Sequence, residues 1–244
     1  MVQIDDFSEY ETKCRNAHDK NFLNSREPEF QNLYRAVRHS TMLSRERLYN
    51  LFSSVQHACE KPISGDIVEL GCWRGGAVAL ALSALLAREK LSDRLVWAFD
   101  TFEGHPQPSD DEVDVWGRNQ KQVFLDRKAK GEPWADASLD AVQLLAESVC
   151  GSSARLRLVK GRAEETLTQT APASVSILRI DMDWFEPTLA ALEILYPRVS
   201  VGGVVIIDDY GHHSGAKKAF HQFFGRQSPM LFHIDYSCVT FLKC

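Results

Sequence analysis

Asp66-Ile-Val-Glu-Leu-Gly-Cys-Trp-Arg-Gly-Gly76, with the apolar run Ala77 to Leu86 behind it, decides the fold. Ile67 to Leu70 reads as a buried strand, Gly71 to Gly76 as a glycine-bearing turn, and the run after it as an apolar helix. The alternation continues downstream. Strands are expected at Leu95–Asp100, Leu156–Val159, Ile177–Asp181 and Val204–Asp208, with helices near 138–149, 186–196 and 214–225. Pro187 suits a first helical turn, and Pro197 stops that helix. Strands apolar on both faces imply parallel pairing under helices on both sides, and right-handed crossovers then give a doubly wound, Rossmann-like α/β sheet. Met230–Ile234 and Cys238–Leu242 have hairpin spacing and should close the sheet with an antiparallel end.

Upstream, Leu33, Val37, Leu48, Leu51, Phe52 and Val55 recur at helical spacing, with a break near Ser40-Thr41. Residues 1 to about 30 read as a polar arm or short helices. The expected organisation is a helical extension or lid over residues 1–60 and the main domain over 61–244, one α/β unit overall.

Composition narrows the function. The formal net charge is −5 and no long Lys/Arg tract occurs, which excludes a strongly basic nucleic-acid footprint. The longest apolar run, Ala77 to Ala87, is too short to cross a bilayer. The start, Met1-Val2-Gln3-Ile4-Asp5-Asp6, lacks the layout of a signal peptide, so a cytoplasmic location is expected. Six cysteines without a CxxC pair predict reduced, mostly buried thiols rather than a zinc or redox site.

In open α/β sheets, ligands bind beyond the carboxyl ends of the strands, and here those ends carry Glu69, Asp100, Lys160, Asp181 with Asp183, and Asp208 with Asp209. The first turn does not match G-x-G-x-x-G, and Glu69 just before it disfavours a pyrophosphate. A cationic, phosphate-free ligand such as S-adenosylmethionine fits better, with Asp100, 31 residues after Glu69, on the ribose diol. The competing reading is that Gly71, Gly75 and Gly76 only permit a tight turn. Two carboxylate pairs on neighbouring strand ends suit a hard divalent ion such as Mg²⁺. Alternatively, Asp183 caps the next helix and Asp208-Asp209 is a turn pair. His212 and His213 read as structural neighbours of that site before ligands or proton shuttles. The acidic stretch His105 to Arg118 is either a lid with acceptor contacts or a solvated loop. Trp97, inside a strand, reads as core.

These stretches, with Phe99-Asp-Thr-Phe-Glu-Gly104, Ile180-Asp-Met-Asp-Trp-Phe-Glu-Pro-Thr188 and Gly202-Gly-Val-Val-Ile-Ile-Asp-Asp-Tyr-Gly211, resemble the macrocin O-methyltransferase family. That family methylates sugar hydroxyls of macrolides and aminocoumarins with S-adenosylmethionine and Mg²⁺. Thr41-Met42, Arg47-Leu48 and Gly65-Asp66 extend the match over most of the chain after about residue 40. The resemblance implies a class I methyltransferase fold, with Asp181, Asp208 and Asp209 on the metal and Asp183 as general base. It places Glu69, Gly71, Trp73 and Gly75 toward the methionine end of the cofactor, and Asp100, Thr101 and Phe102 toward the ribose. Gly161, Arg162 and Ala163 would face the adenine, Asp181 would also touch the cofactor, and Thr41 and Met42 would close over it. The expected partners are a small-molecule, glycosylated acceptor and further copies of the chain, with neither nucleic acid nor membrane. Trp184-Phe185 stands where Leu-Tyr is more frequent, which leaves the acceptor open; a catechol-type acceptor would use the same metal logic. The rivals are a hydroxylase or nicotinamide oxidoreductase on a related fold, and a cofactor-binding protein without chemistry.

Overall fold

Five apolar runs form parallel strands because helices cover both of their faces. They are β1 (Asp66–Leu70), β2 (Val96–Asp100), β3 (Leu156–Lys160), β4 (Val175–Ile180) and β5 (Val199–Ile207). Two C-terminal strands, β6 (Phe232–His233) and β7 (Val239–Leu242), complete a seven-stranded sheet in the order β3-β2-β1-β4-β5-β7-β6. β7 runs antiparallel to both its neighbours, β5 and β6. The computed structural model describes residues 12–13, 28–61 and 63–244, so most of the expected N-terminal arm, with Cys14 and Pro62, lies outside the described residues.

The helices are α1 (Pro28–Val37), α2 (Arg45–Glu60), α3 (Gly76–Arg88), α4 (Gln120–Ala129), α5 (Leu139–Cys150), α6 (Ala163–Gln169), α7 (Phe185–Leu195) and α8 (Ser214–Phe224). On one face of the sheet, Phe30, Leu48 and Phe52 of α1 and α2 pack with α3, with Val142 of α5 and with Ile67 and Ile177. On the other face, Leu167, Leu192 and Phe220 of α6, α7 and α8 pack on Val68, Leu178 and Val205. Alternate residues of one strand thus serve opposite cores, as pleating requires. Helices α1 and α2 share the sheet's own core, joined by a break over residues 38–44 where the apolar pattern lapses.

The expected strands and the helices at 138–149, 186–196 and 214–225 are present, with ends shifted by a residue or a few. β5 starts five residues earlier than its apolar run. The hairpin's outer strand is only Phe232–His233, both exposed, rather than Met230–Ile234. It is an edge strand that pairs with β7 alone, and Met230 is exposed. Two helices went unmarked in the sequence. In α4 only Gln120 is buried, so there is no apolar stripe to read, and the seven-residue α6 is too short to show a period. Trp97 is a structural side chain as expected; its indole N–H donates to Asp66 at 2.8 Å, at the start of β1. Cys59, Cys72, Cys150, Cys238 and Cys244 are free thiols. Among the described residues, no helix is long and apolar enough to cross a membrane.

The first turn depends on Gly71. Its φ is +80°, and a Cβ there would lie 1.9 Å from the Asp181 carbonyl oxygen. Only a bare α-carbon lets the end of β1 touch the end of β4. Gly71→Ala should destabilise the fold by at least about 1–3 kcal/mol from backbone strain alone. Urea unfolding measures this, and an unchanged midpoint would show that the turn can relax.

Candidate active site

Strand register creates the site. Leu70 pairs with Phe99 on one side and with Ile180 on the other, and Ile180 pairs with Ile207. The next residue on each strand, Gly71, Asp100, Asp181 and Asp208, therefore falls on one line along the carboxyl edge. A cavity of about 330 Å³ opens there, lined by these four together with Trp73, Thr101, Asp183 and Asp209. This is the crevice where a doubly wound sheet binds its ligands.

Two residues below that line, Glu69 and Arg179 are register partners on β1 and β4, so their side chains stand side by side on one face. Both are buried, Arg179 to 2% exposure. The Arg179 guanidinium donates to Glu69 at 2.6 Å, to Asp181 at 2.8 Å and to Asp208. Arg47 of α2 donates to the other oxygen of Asp208 and, at 2.6 Å, to Asp235. Burial disfavours the charge on Arg179, but Asp181, Asp208 and Glu69 outweigh it and hold its pKa far above the ordinary range. For the acids, burial wins. It pushes Glu69 up to about 7, and it raises Asp181 and Asp209 well above the carboxylate range, with neighbouring carboxylates adding to the shift. Six carboxylates (Glu69, Asp181, Asp183, Asp208, Asp209 and Asp235) thus crowd around two guanidiniums, and a divalent cation would offset the deficit.

Ligand atoms of Asp181, Asp208 and Asp209 lie within 4.8 Å of one another, and so do those of Asp183, Asp209 and His213. Asp209 is buried, and its Oδ2 has no hydrogen-bond partner. A buried, unpaired carboxylate oxygen within an acidic ring is a good cation ligand.

Asp183 occupies a left-handed backbone conformation, φ +59°. It does not cap α7, whose N-cap is Trp184, so the capping alternative fails. Burial and the nearby carboxylates raise its pKa to about 7. His105 Nε2 lies 3.3 Å and His213 Nε2 3.6 Å from its Oδ2. Burial lowers both imidazoles to about 4, so near neutral pH they are uncharged neighbours. Trp134, Trp184 and His105 pack edge-to-face or tilted, with ring centroids 5.3–6.1 Å apart, and form an aromatic wall beside Asp183.

Asp100 ties the first turn to the second strand. Its Oδ2 accepts from the amides of Cys72 and Trp73 at 2.7 and 3.0 Å, and its Oδ1 from the amide of Phe102 at 2.8 Å. A carboxylate has about four lone pairs, which leaves capacity for a ligand hydroxyl. Met42 also lines the cavity, because the Gly76 amide donates to Ser40 at 2.8 Å and brings the 40–44 segment to the first turn.

Other expected residues do not line the cavity. Glu69 is turned into the sheet toward Arg179. Thr41 accepts from the Leu43 amide at 3.1 Å, Gly75 abuts Val142, and Phe102 is buried. Gly161, Arg162 and Ala163 lie one strand further out, where the Gly161 amide donates to the Asp100 carbonyl at 3.0 Å. The 105–118 stretch divides between its two readings: His105 and Pro106 line the cavity, Glu112 and Asp114 are buried, and Asp110 and Asp111 are exposed. Sequence reading gave no role to Arg179 or Trp134, quoted Arg47 only within the family resemblance, and took His105 only as the start of a candidate lid. Of these only Arg179 left a signal, a charge inside an apolar strand that requires a buried counter-ion.

The sheet order and the ligand crevice are those of the Rossmann-like methyltransferase fold. Residues 3–243 match the family model described as Macrocin-O-methyltransferase (TylF), and the chain belongs to that family. Over 174 residues, 70% of the chain, it is 34% identical to demethyldecarbamoylnovobiocin O-methyltransferase of Streptomyces niveus, and the match spans 62% of that protein's length. It is 33% identical over 186 residues to 8-demethyl-8-(2,3-dimethoxy-alpha-L-rhamnosyl)-tetracenomycin-C 4'-O-methyltransferase of Streptomyces olivaceus, covering 76% of this chain and 68% of that one. Among solved structures, the O-methyltransferase NovP aligns with a TM-score of 0.73 at 30% identity, over 84% of this chain and 82% of its own. The calicheamicin methyltransferase CalS11 shares the fold, with a TM-score of 0.62 at 19% identity over 98% and 93% of the two chains.

Arg179→Met would leave Glu69, Asp181 and Asp208 buried without their shared cation. We expect a loss of about 3–5 kcal/mol at pH 8, the usual cost of breaking a buried ion pair from one side. The loss should shrink at pH 5, where the orphaned acids can hold protons. Denaturant unfolding at the two pH values reads the difference, and a small, pH-independent loss would contradict the assigned role.

Proposed function

We propose that the protein is a Mg²⁺-dependent S-adenosylmethionine O-methyltransferase that acts on a hydroxyl of a glycosyl group, or a similar vicinal diol, in a small molecule. The observation that carries this reading is the ring of Asp181, Asp208 and Asp209, with the unpaired Asp209 Oδ2, set beside Asp183 in a cavity that also reaches Asp100. Family membership and relatives named as methylating novobiocin and rhamnosyl compounds support it.

In this reading Asp181, Asp208 and Asp209 would hold the ion, which when bound would supply positive charge beside the acceptor and make its hydroxyl proton easier to remove. Asp183 takes the acceptor's proton at Oδ2. A base pushed up to about 7 is matched to that task near neutral pH. Asp100, held in place by the amides of Cys72 and Trp73, takes the ribose end of the methyl donor. The aromatic wall of Trp134 and Trp184 keeps water from Asp183 and orients the acceptor. Screening macrolide and aryl 6-deoxyhexosides with labelled S-adenosylmethionine tests the function directly. Label transfer to none of them, with transfer to catechols instead, would overturn the glycosyl reading.

Asp183→Asn should lower the single-turnover rate by about 10²–10⁴ and remove the rise in rate through pH 7, since the amide cannot take a proton. A near-normal rate would exclude Asp183 as the base. Metal binding has its own signature. The acids with raised pKa hold protons in the folded chain that the unfolded chain has released, so without metal they lose stability as pH rises from about 4.5 through 7. His105 and His213, lowered to about 4, act in the opposite sense between pH 4 and 6.5. The informative quantity is therefore the difference made by Mg²⁺. It displaces the acids' protons, so its stabilising effect on Tm should be larger at pH 8 than at pH 5.5. No shift at either pH would count against the metal site.

A further inference from the structure

The helices that flank Asp183 begin without caps of their own. Neither Trp184 at the start of α7 nor His213 at the start of α8 makes a side-chain capping bond. Helix starts leave amide donors unpaired, and buried ones need an acceptor from elsewhere. Here the acceptor comes from the loop between β2 and α4. Glu112, 2% exposed, accepts from the Phe185 amide at 2.7 Å through Oε1. The same carboxylate faces the start of α8 so closely that a Cβ on Gly215 would come within 2.3 Å of both its oxygens. Val113 then exchanges bonds with Ser214, its amide donating to Ser214 Oγ at 3.0 Å and its carbonyl accepting from the Ser214 amide at 2.9 Å. Asp114 forms a bridge with His213.

Asp183 stands two residues before Phe185, in the left-handed conformation, and its carbonyl accepts from the Ala216 amide of α8 at 3.1 Å. Its backbone is thus suspended between two helix starts, the first bonded to Glu112 Oε1 and the second packed against the same carboxylate, whose Oε2 has no hydrogen-bond partner. We infer that Glu112 is a positioning residue for methyl transfer, a single buried carboxylate that clamps the starts of α7 and α8 together and so keeps Asp183 aimed at the acidic ring. The inference rests on the reading of Asp183 as the base. A positioning role is plausible in magnitude, because a displacement of about 1 Å at a reacting group can cost 10²-fold in rate.

Glu112→Gln keeps the volume but sets an amide group against one of the two helix starts, and Glu112→Ala removes the clamp. With an acceptor from the glycoside screen, Glu112→Gln should lower kcat by about 10–100-fold while leaving both KM values and Mg²⁺ affinity within about twofold. The same change made on top of Asp183→Asn should lower kcat no further, since the group being positioned is already gone. Equal losses in both backgrounds, or a loss confined to KM, would overturn the proposal. Amide hydrogen exchange of the full chain gives a readout that needs no acceptor. Phe185 and Ala216 should exchange faster in both Glu112 variants, and unchanged protection at Ala216 would overturn the clamp. If exchange rises while Asp183→Asn alone is near-normal, the base reading fails and the clamp stands as a structural device.

Discussion

A charge placed inside a fully buried strand sets the terms for everything at the active end of this sheet. Arg179 occupies the fifth position of Val175–Ile180, all of whose residues are buried. An unpaired guanidinium there would be prohibitive, so its neighbours in register and on the same face must be acids. Glu69 sits beside it on β1, Asp181 follows two residues later, and Asp208 ends the adjoining strand. The cation binds these three acids into one cluster, yet one guanidinium cannot match three carboxylates, and Asp183 and Asp209 stand beside them. The residual negative charge lies at the bottom of the cavity. Burial, with that imbalance added to it, pushes Asp183 up to about 7, and the same imbalance underlies the proposed cation site.

Backbone conformation around the cavity is unusual in the same places. Among the described non-glycine residues, Trp73, Phe102, Ala135 and Asp183 have positive φ. Such residues persist only where surrounding structure over-determines them. Here it does. The Asp100 carboxylate holds the amides of Cys72, Trp73 and Phe102, and α8 holds the Asp183 carbonyl. The links at Trp73 and Phe102 are thus fixed by the Asp100 side chain and the one at Asp183 by the backbone of α8. Arg47 does the same for the N-terminal helices, joining α2 to both Asp208 and Asp235.

How much of this was legible depended on whether the signal was local. The five parallel strands announce themselves as β-branched runs, and α3, α5, α7 and α8 as apolar or amphipathic segments between them. The strand-end acids followed from that alternation, since ligands meet such sheets at one edge. Polar α4 and short α6 left no periodic trace. The outer strand of the hairpin was overestimated because an edge strand needs partners on one side only. Glu69 lies at a strand end in sequence, but its carboxylate faces Arg179 rather than the cavity, a choice made by the register of β1 against β4. A helix cap was the competing reading of Asp183, yet the acceptor at the start of α7 is Glu112, seventy-three residues before Phe185.

By itself the sequence determined the α/β class, the succession of the strands and of the apolar helices between them, and the acidic character of the carboxyl edge. Each of these is written in hydrophobic periodicity or in residue type at a strand end. Tertiary structure alone decided which acids share Arg179 and Arg47, which oxygen is left unpaired at Asp209, and that His105, Trp134 and Glu112 converge on Asp183. Those outcomes depend on strand register and on loop return, which bring together residues far apart in the chain. Burial then sets their charges, and burial is a property of the packed molecule that no short stretch of sequence carries.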